Sequence, residues 1–328
     1  MTYTIKPSDY TSDAHYEAMA RIESAVYPLY PDTAERMKRH DKKWPEKYHR
    51  YRVVVTEDAT DTIVAVGTAK HSIDTYHPHK FYVDAAVDPA FDDTQLRPML
   101  YSYLVEQLQP LDPIQLSGSC NSAQPHLIAF YESRGYEMKT REYSSKLMLR
   151  EFDPATFQTY GERVSASGVR LLNLHEMEAT YPDRWIRMVY DIAMEVDIDV
   201  PWHEPIQPEP YEQWRKRFSD QLSRVDDAYL IALDGDKPIG VTMMFASGAS
   251  SEVLFTGLTG VVRSRRRQGI AMALKVRSLS VAKEKFCKDD LQPYLMAENE
   301  ENNPMFTINE RLGFVRQPDW LNWVKELK

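Results

Sequence analysis

The sequence predicts an α/β chain in which one strand-and-helix plan is written twice. Three observations predict this. First, an apolar run, Val253-Leu254-Phe255 leading to Thr259-Gly260-Val261, reads as a strand that feeds the basic turn Arg266-Arg267-Gln268-Gly269-Ile270-Ala271, and residues 271–286 read as the helix that leaves it. Second, residues 291–297 read as another strand, followed by a short helix whose apolar face is Met305, Ile308 and Leu312, with Pro304 in its first turn and Gly313 at its C-cap. Third, Asn121 and Gly135 precede Asn299 and Gly313 by one interval of 178 residues, which marks an internal duplication.

Taken in chain order, residues 51–56 and 63–69 read as a strand pair across a polar turn, and residues 81–87 as a third strand ending at Asp88-Pro89. Leu147-Met148-Leu149 closes the first copy. The polar stretch 160–167 is the expected join, so the domains expected are 1–160 and 161–328. The second copy opens with a strand at 169–174. Residues 228–233 and 239–245 form its hairpin across Asp234-Gly235-Asp236-Lys237.

Composition bounds the functions open to the chain. With 328 residues, 43% of them hydrophobic, it exceeds a usual single core and is rich enough in apolar residues for two. A net charge of −9 argues against a general nucleic-acid surface, since the arginines at 263–267 are local. No apolar stretch spans a bilayer and no secretory signal is read at the start, so no membrane partner is expected. Cys120 and Cys287, the only cysteines, form neither a disulfide framework nor a metal site, as suits a reducing cytoplasm.

The basic turn is an anion site by construction. The first N–H groups of a helix lack intrahelical partners and carry partial positive charge, and Gly269 lets a ligand approach the backbone. The combination of R-x-x-G-x-A at 266–271 with Asn299, Asn303, Pro304-Met305 and Asn309-Glu310-Arg311-Leu312-Gly313-Phe314 resembles the GCN5-related N-acetyltransferase (GNAT) superfamily. The resemblance implies two tandem GNAT folds, each a mixed, mostly antiparallel sheet flanked by helices. It implies acetyl-CoA as co-substrate, its pyrophosphate held at Val261, Val262, Arg266, Arg267, Gln268, Gly269, Ile270, Ala271 and Met272. Asn299, Asn303 and Met305 are expected along its other side. No metal is implied. In architecture, with one copy degenerate, the chain resembles the mycothiol synthase type.

The first copy keeps the outline of the family and loses its loop. Asp88-Pro89 stands where the family has its V-x-P step, and Phe130-Tyr131-Glu132 with Gly135-Tyr136 matches its F-Y-E-x-x-G-F pattern. Between them, Asp92 falls at the place of Arg266, Gln95 at that of Gly269 and Arg97 at that of Ala271. Carboxylates facing a pyrophosphate cost several kcal/mol, enough to remove micromolar binding. The first domain therefore reads as a fold without its cofactor.

Acetyl transfer needs a neutral amine, a held carbonyl oxygen and a protonated leaving thiolate. The resemblance places Asn309 where much of the family has its acidic tyrosine. An amide donates a hydrogen bond but no proton, and Asn309 reads either as such a donor at the thioester or as an ordinary helix residue. Glu298 and Glu252 are the carboxylates read as general base, Glu298 ahead, each equally readable as a solvated surface group. The segment 195–210 carries Glu195, Asp197, Asp199, Glu204 and Glu209 beside Trp202, His203 and four prolines. It reads either as a wall for a cationic amine or as a rigid solvated loop. The expected function is acetyl-CoA-dependent N-acetylation of a small amine-bearing acceptor by the second domain. The competing reading is a silent protein that retains CoA structurally.

Overall fold

The computed structural model describes residues 2–73, 75–91, 93–201, 209–221 and 223–328. They form two compact units, one of Met1–Arg141 with Asp319–Lys328, the other of Glu142–Pro318. This differs from a division at residue 160. The chain's last strand belongs with the first copy, and residues 142–160 belong with the second. Strand pairing decides this, and pairing partners are remote in sequence.

In the first unit the order is β1 (Tyr3–Pro7), α1 (Asp13–Val26), α2 (Ala34–Lys42), β2 (Arg50–Glu57), β3 (Thr62–Lys70), β4 (Lys80–Val87), α3 (Asp93–Leu108), β5 (Gln115–Asn121) and α4 (Pro125–Ser133). Strand β6 (Glu137–Met148) runs from this unit into the second. The second unit continues with α5 (Gln158–Ala166), β7 (Val169–Asn173), α6 (Leu174–Thr180), α7 (Trp185–Asp197), α8 (Tyr211–Ser219), β8 (Leu230–Asp234), β9 (Lys237–Ala246) and β10 (Val253–Val261). After these come α9 (Ile270–Phe286), β11 (Tyr294–Glu300), α10 (Met305–Arg311) and β12 (Val315–Arg316), and β13 (Trp320–Glu326) closes the first unit.

Within each unit the strands pair in a mixed, mostly antiparallel order. In the first the strands lie β1-β2-β3-β4-β5-β13, with only β4 and β5 parallel. One face carries α3, whose Leu96, Leu100, Leu104 and Leu108 recur every fourth residue and are fully buried. The other face carries α1 through Tyr16, Met19 and Ile22 against Val66 and Ala86. Leu321 and Trp323 of β13 complete the first core.

In the second unit the strands lie β6-β11-β10-β9-β8-β7, with β12 on β6 and only β10 and β11 parallel. Helix α7 buries Met188, Val189, Ile192, Ala193 and Val196 as one stripe. Leu147 and Leu149, from the end of the first copy, are buried here with Leu295 and Phe314. The hairpin read at 234–237 forms between β8 and β9, with Gly235 left-handed at φ 56°. Strand β11 ends three residues later than read, because Glu298, Asn299 and Glu300 pair with Ser144, Tyr143 and Glu142 of β6. Among the described residues no helix is long and apolar enough to cross a membrane.

Candidate active site

The turn between β10 and α9 is built from two left-handed residues, Arg267 at φ 63° and Gly269 at φ 83°. Gly269 caps the helix, and the first bond runs from the Ala273 N–H to its carbonyl at 3.0 Å. The N–H groups of Ile270, Ala271 and Met272 therefore have no intrahelical partner. A Cβ at Gly269 would stand 3.3 Å from the Tyr160 ring in a conformation that other residues resist. Ile270 and Met272 send their side chains into the core, as do Val261 and Val262. What these residues offer a ligand is backbone.

The arginines of the turn are mostly committed elsewhere. Arg263 and Arg266 share Asp199, with Arg263 Nε at 2.9 Å from Oδ1, and Arg265 pairs with Asp234. Arg266 also donates to the Val261 carbonyl at 3.0 Å. Arg267 is exposed and has no such partner among the described residues. Asp199 thus neutralises the turn rather than facing an amine. The hydrogen bond from Arg263, with further help from Arg266, holds its carboxyl below the usual range. Glu209 is likewise paired, with Arg217 at 2.7 Å. Trp202, His203 and Glu204 lie outside the described residues.

Beside this turn the sheet opens. Strands β10 and β11 pair only from Val253 to Phe255 and from Tyr294 to Met296. The register of β10 on β9 then shifts between Thr256 and Thr259, a bulge at Gly257-Leu258. Gly257 is needed there, since a Cβ would come within 2.6 Å of the Phe245 ring. Past the bulge the two parallel strands no longer pair, and a cavity of about 440 Å³ occupies the opening. Thr256 to Thr259 line it from one strand and Glu298, Asn299 and Glu300 from the other.

The fold that carries this turn and this splay is found among solved structures. No protein-family model and no curated protein sequence matches the chain. A tandem GNAT protein from the clavulanic acid biosynthesis pathway, solved without AcCoA, matches at TM-score 0.74 and 16% identity over 99% of this chain and 98% of its own. A GCN5-related N-acetyltransferase from Sphaerobacter thermophilus matches at TM-score 0.70 and 16% identity, over 99% of this chain and 96% of its own. The fold is a tandem GNAT fold. At 16% identity the fold is what is shared.

In this chain the predicted residues gather unevenly around the cavity. Asn309 is 1% exposed and lines it. Its Nδ2 donates to Asn299 Oδ1 at 2.8 Å, while its own Oδ1 is buried without a hydrogen-bond partner among the described residues. Asn309 was read either as a donor at the thioester or as an ordinary helix residue; in the fold one of its amide hydrogens is spent on Asn299. Asn303 and Met305 also line the cavity, and the Asn303 side chain caps α10 by accepting from the Met305 N–H at 3.0 Å. Glu298 lines the cavity too. Glu252 does not: its carboxylate accepts from the Gln292 N–H at 2.6 Å, where β10 and β11 are still joined.

Two lining residues escaped the sequence reading. Glu300 follows Glu298 on β11, and its carboxyl is pushed up to about 7, first by burial and then by Glu142 and Glu301. Lys275 lies in mid-helix of α9 among buried Met272, Leu274 and Val276, and is itself 3% exposed. A lone lysine in an apolar helical run was the available signal.

The equivalent opening in the first unit is filled. Strands β4 and β5 pair only from Lys80 to Tyr82 and from Gln115 to Ser117. Beyond that point Tyr131 donates to the Ser119 carbonyl at 3.3 Å and stacks on Trp323 with centroids 5.6 Å apart. A Cβ at Gly118 would meet the Tyr131 hydroxyl at 2.5 Å. Arg97, at the alanine position of the loop, is buried and donates to the Ala85 carbonyl. No described residue from 88 to 97 is left-handed. Asp92 lies outside the described residues.

Proposed function

We propose that the protein is an N-acetyltransferase that takes acetyl-CoA and a small amine, with its one working site in the second unit. The contrast between the units carries this reading. The second has an open splay beside a turn with free N–H groups, and the first has its splay packed with Tyr131 and Arg97.

The residues present fit acetyl-CoA. The N–H groups from Arg267 to Met272 would hold the pyrophosphate, with Arg267 adding a charge that no described residue pairs. The splay at Gly257-Leu258 exposes strand backbone of β10 to the pantetheine arm, with Asn299, Asn303 and Met305 along its far side. When bound, acetyl-CoA supplies an activated acetyl group on sulfur. The chain must then orient the amine, keep it neutral and exclude water from the acetyl group.

Glu300 is the residue best suited to take the amine's proton, because a carboxylate lifted to about 7 is half ionised near neutrality and holds a proton well. Glu298 stands beside it on the same strand as a second carboxylate for an ammonium. Asn309 lines the cavity with its amide held by Asn299, where it would lie beside the thioester. Tyr131 takes no part: burial lifts its hydroxyl far above neutrality, and it sits in the first unit's core.

Release of free CoA from acetyl-CoA across a panel of amines tests the activity, and calorimetry tests the site. One acetyl-CoA should bind per chain, and Gly269→Asp should abolish binding by setting a carboxylate against the pyrophosphate. Two equivalent sites per chain would refute the single-site reading. Binding of CoA without release in any amine would leave the silent, CoA-retaining protein.

A further inference from the structure

The second unit's cavity contains a positive charge that the transfer chemistry described above does not use. Lys275 is 3% exposed and lines the cavity from α9. Its Nζ stands 5.7 Å from the centre of the Phe314 ring, and no carboxylate or carbonyl among the described residues accepts from it. Burial draws its ammonium down to about 8, with no neighbouring charge opposing the shift. A buried cation without an anion is costly, and proteins ordinarily pair it or replace it with an apolar residue. On an interior helical turn between Leu274 and Val276, an apolar residue would pack as well. The carboxylates Glu298 and Glu300 line the same cavity from β11. The cavity therefore presents a buried ammonium and a pair of carboxylates to one small ligand.

We propose that the acceptor is a zwitterion, an amine that also carries a small oxyanion such as a carboxylate, with Lys275 Nζ binding the oxyanion and the Glu298–Glu300 side receiving the amine. The proposal rests on the N-acetyltransferase reading and narrows its substrate to amino acids and compounds built like them. A volume of about 440 Å³ suits this size, since the acetyl end of the co-substrate shares it and small-molecule sites begin near ~300 Å³. Lys275 is then a specificity-determining residue, held by a buried helix so that its ammonium is placed before the ligand arrives.

Matched acceptors test this without any variant. L-phenylalanine is compared with phenethylamine, L-lysine with cadaverine and L-arginine with agmatine, by CoA release. β-Alanine, taurine and 2-aminoethylphosphonate against propylamine then separate carboxylate, sulfonate and phosphonate. The expected result is that an oxyanion-bearing member exceeds its counterpart in kcat/KM by up to about a hundredfold, the worth of one hydrogen bond to a charged group. Lys275→Met should abolish that preference by raising KM for the oxyanion-bearing acceptor far more than for the plain amine, with the calorimetric affinity for acetyl-CoA retained. Turnover of plain amines as fast as their oxyanion-bearing counterparts in the wild type overturns the proposal while the acetyltransferase reading stands. Equal slowing of both members in Lys275→Met also overturns it. Silence with every amine overturns the acetyltransferase reading and this proposal together.

Discussion

Replacing Lys275 by methionine should stabilise the protein, and the gain should depend on pH. Burial lowers the lysine from its ordinary 10.5 to about 8. A shift of about 2.5 units corresponds to roughly 3 kcal/mol disfavouring the charged form in the fold. Methionine is one heavy atom shorter, fills most of the same space and forfeits the contact with Phe314, which contributes about 0.5–1 kcal/mol. The net expectation is a gain of about 2 kcal/mol at pH 7, or a Tm higher by roughly 4–8 °C. Because the folded-state value is depressed, both states carry the proton below pH 8 and the penalty is fully present there. Between about 8 and 10.5 only the unfolded state holds the proton, so wild-type stability rises with pH and the difference closes. Urea unfolding of both proteins at pH 7 and at pH 10.5 reads the effect. Equal stability at pH 7, or a gain that persists undiminished at pH 10.5, would refute the argument that Lys275 is a buried, unpaired cation.

Three further outcomes are expected. Glu300→Gln should slow turnover and remove the acid limb of the rate profile, because the basic form grows as pH rises through about 7; an unchanged limb would show that another group takes the proton. Tyr131→Phe should leave turnover within about twofold and cost about 1 kcal/mol through its bond to Ser119, whereas Gly118→Ala should cost roughly 1–3 kcal/mol by collision with Tyr131; a tenfold rate loss in folded Tyr131→Phe would restore it to the chemistry. Asn309→Asp should slow the reaction by setting a carboxylate beside a developing thiolate, and wild-type rates in both Asn309→Asp and Asn309→Ala would remove the residue from the mechanism.

The sequence by itself determined what is local. A basic turn with a glycine, a helix that leaves it, an Asp-Gly hairpin and a short helix after the next strand are each specified within a few residues, and all are found where they were read. The 178-residue interval likewise reports a repeated plan, seen as one parallel pair beside antiparallel neighbours in each unit. Only tertiary structure decided which strands complete which unit. Nothing in the pattern of β6 or β13 names its partner, and the chain's last strand joins β5, about two hundred residues before it. The fate of the loop arginines was equally hidden, because Asp199 stands 64 residues from Arg263 and its charge looked available to an amine. The splay at Gly257, the filled counterpart at Gly118 and the unpaired Lys275 follow from how strands diverge and what enters the gap. Side-chain type gives the charge a residue carries; packing alone sets whether water, a partner or a ligand meets it.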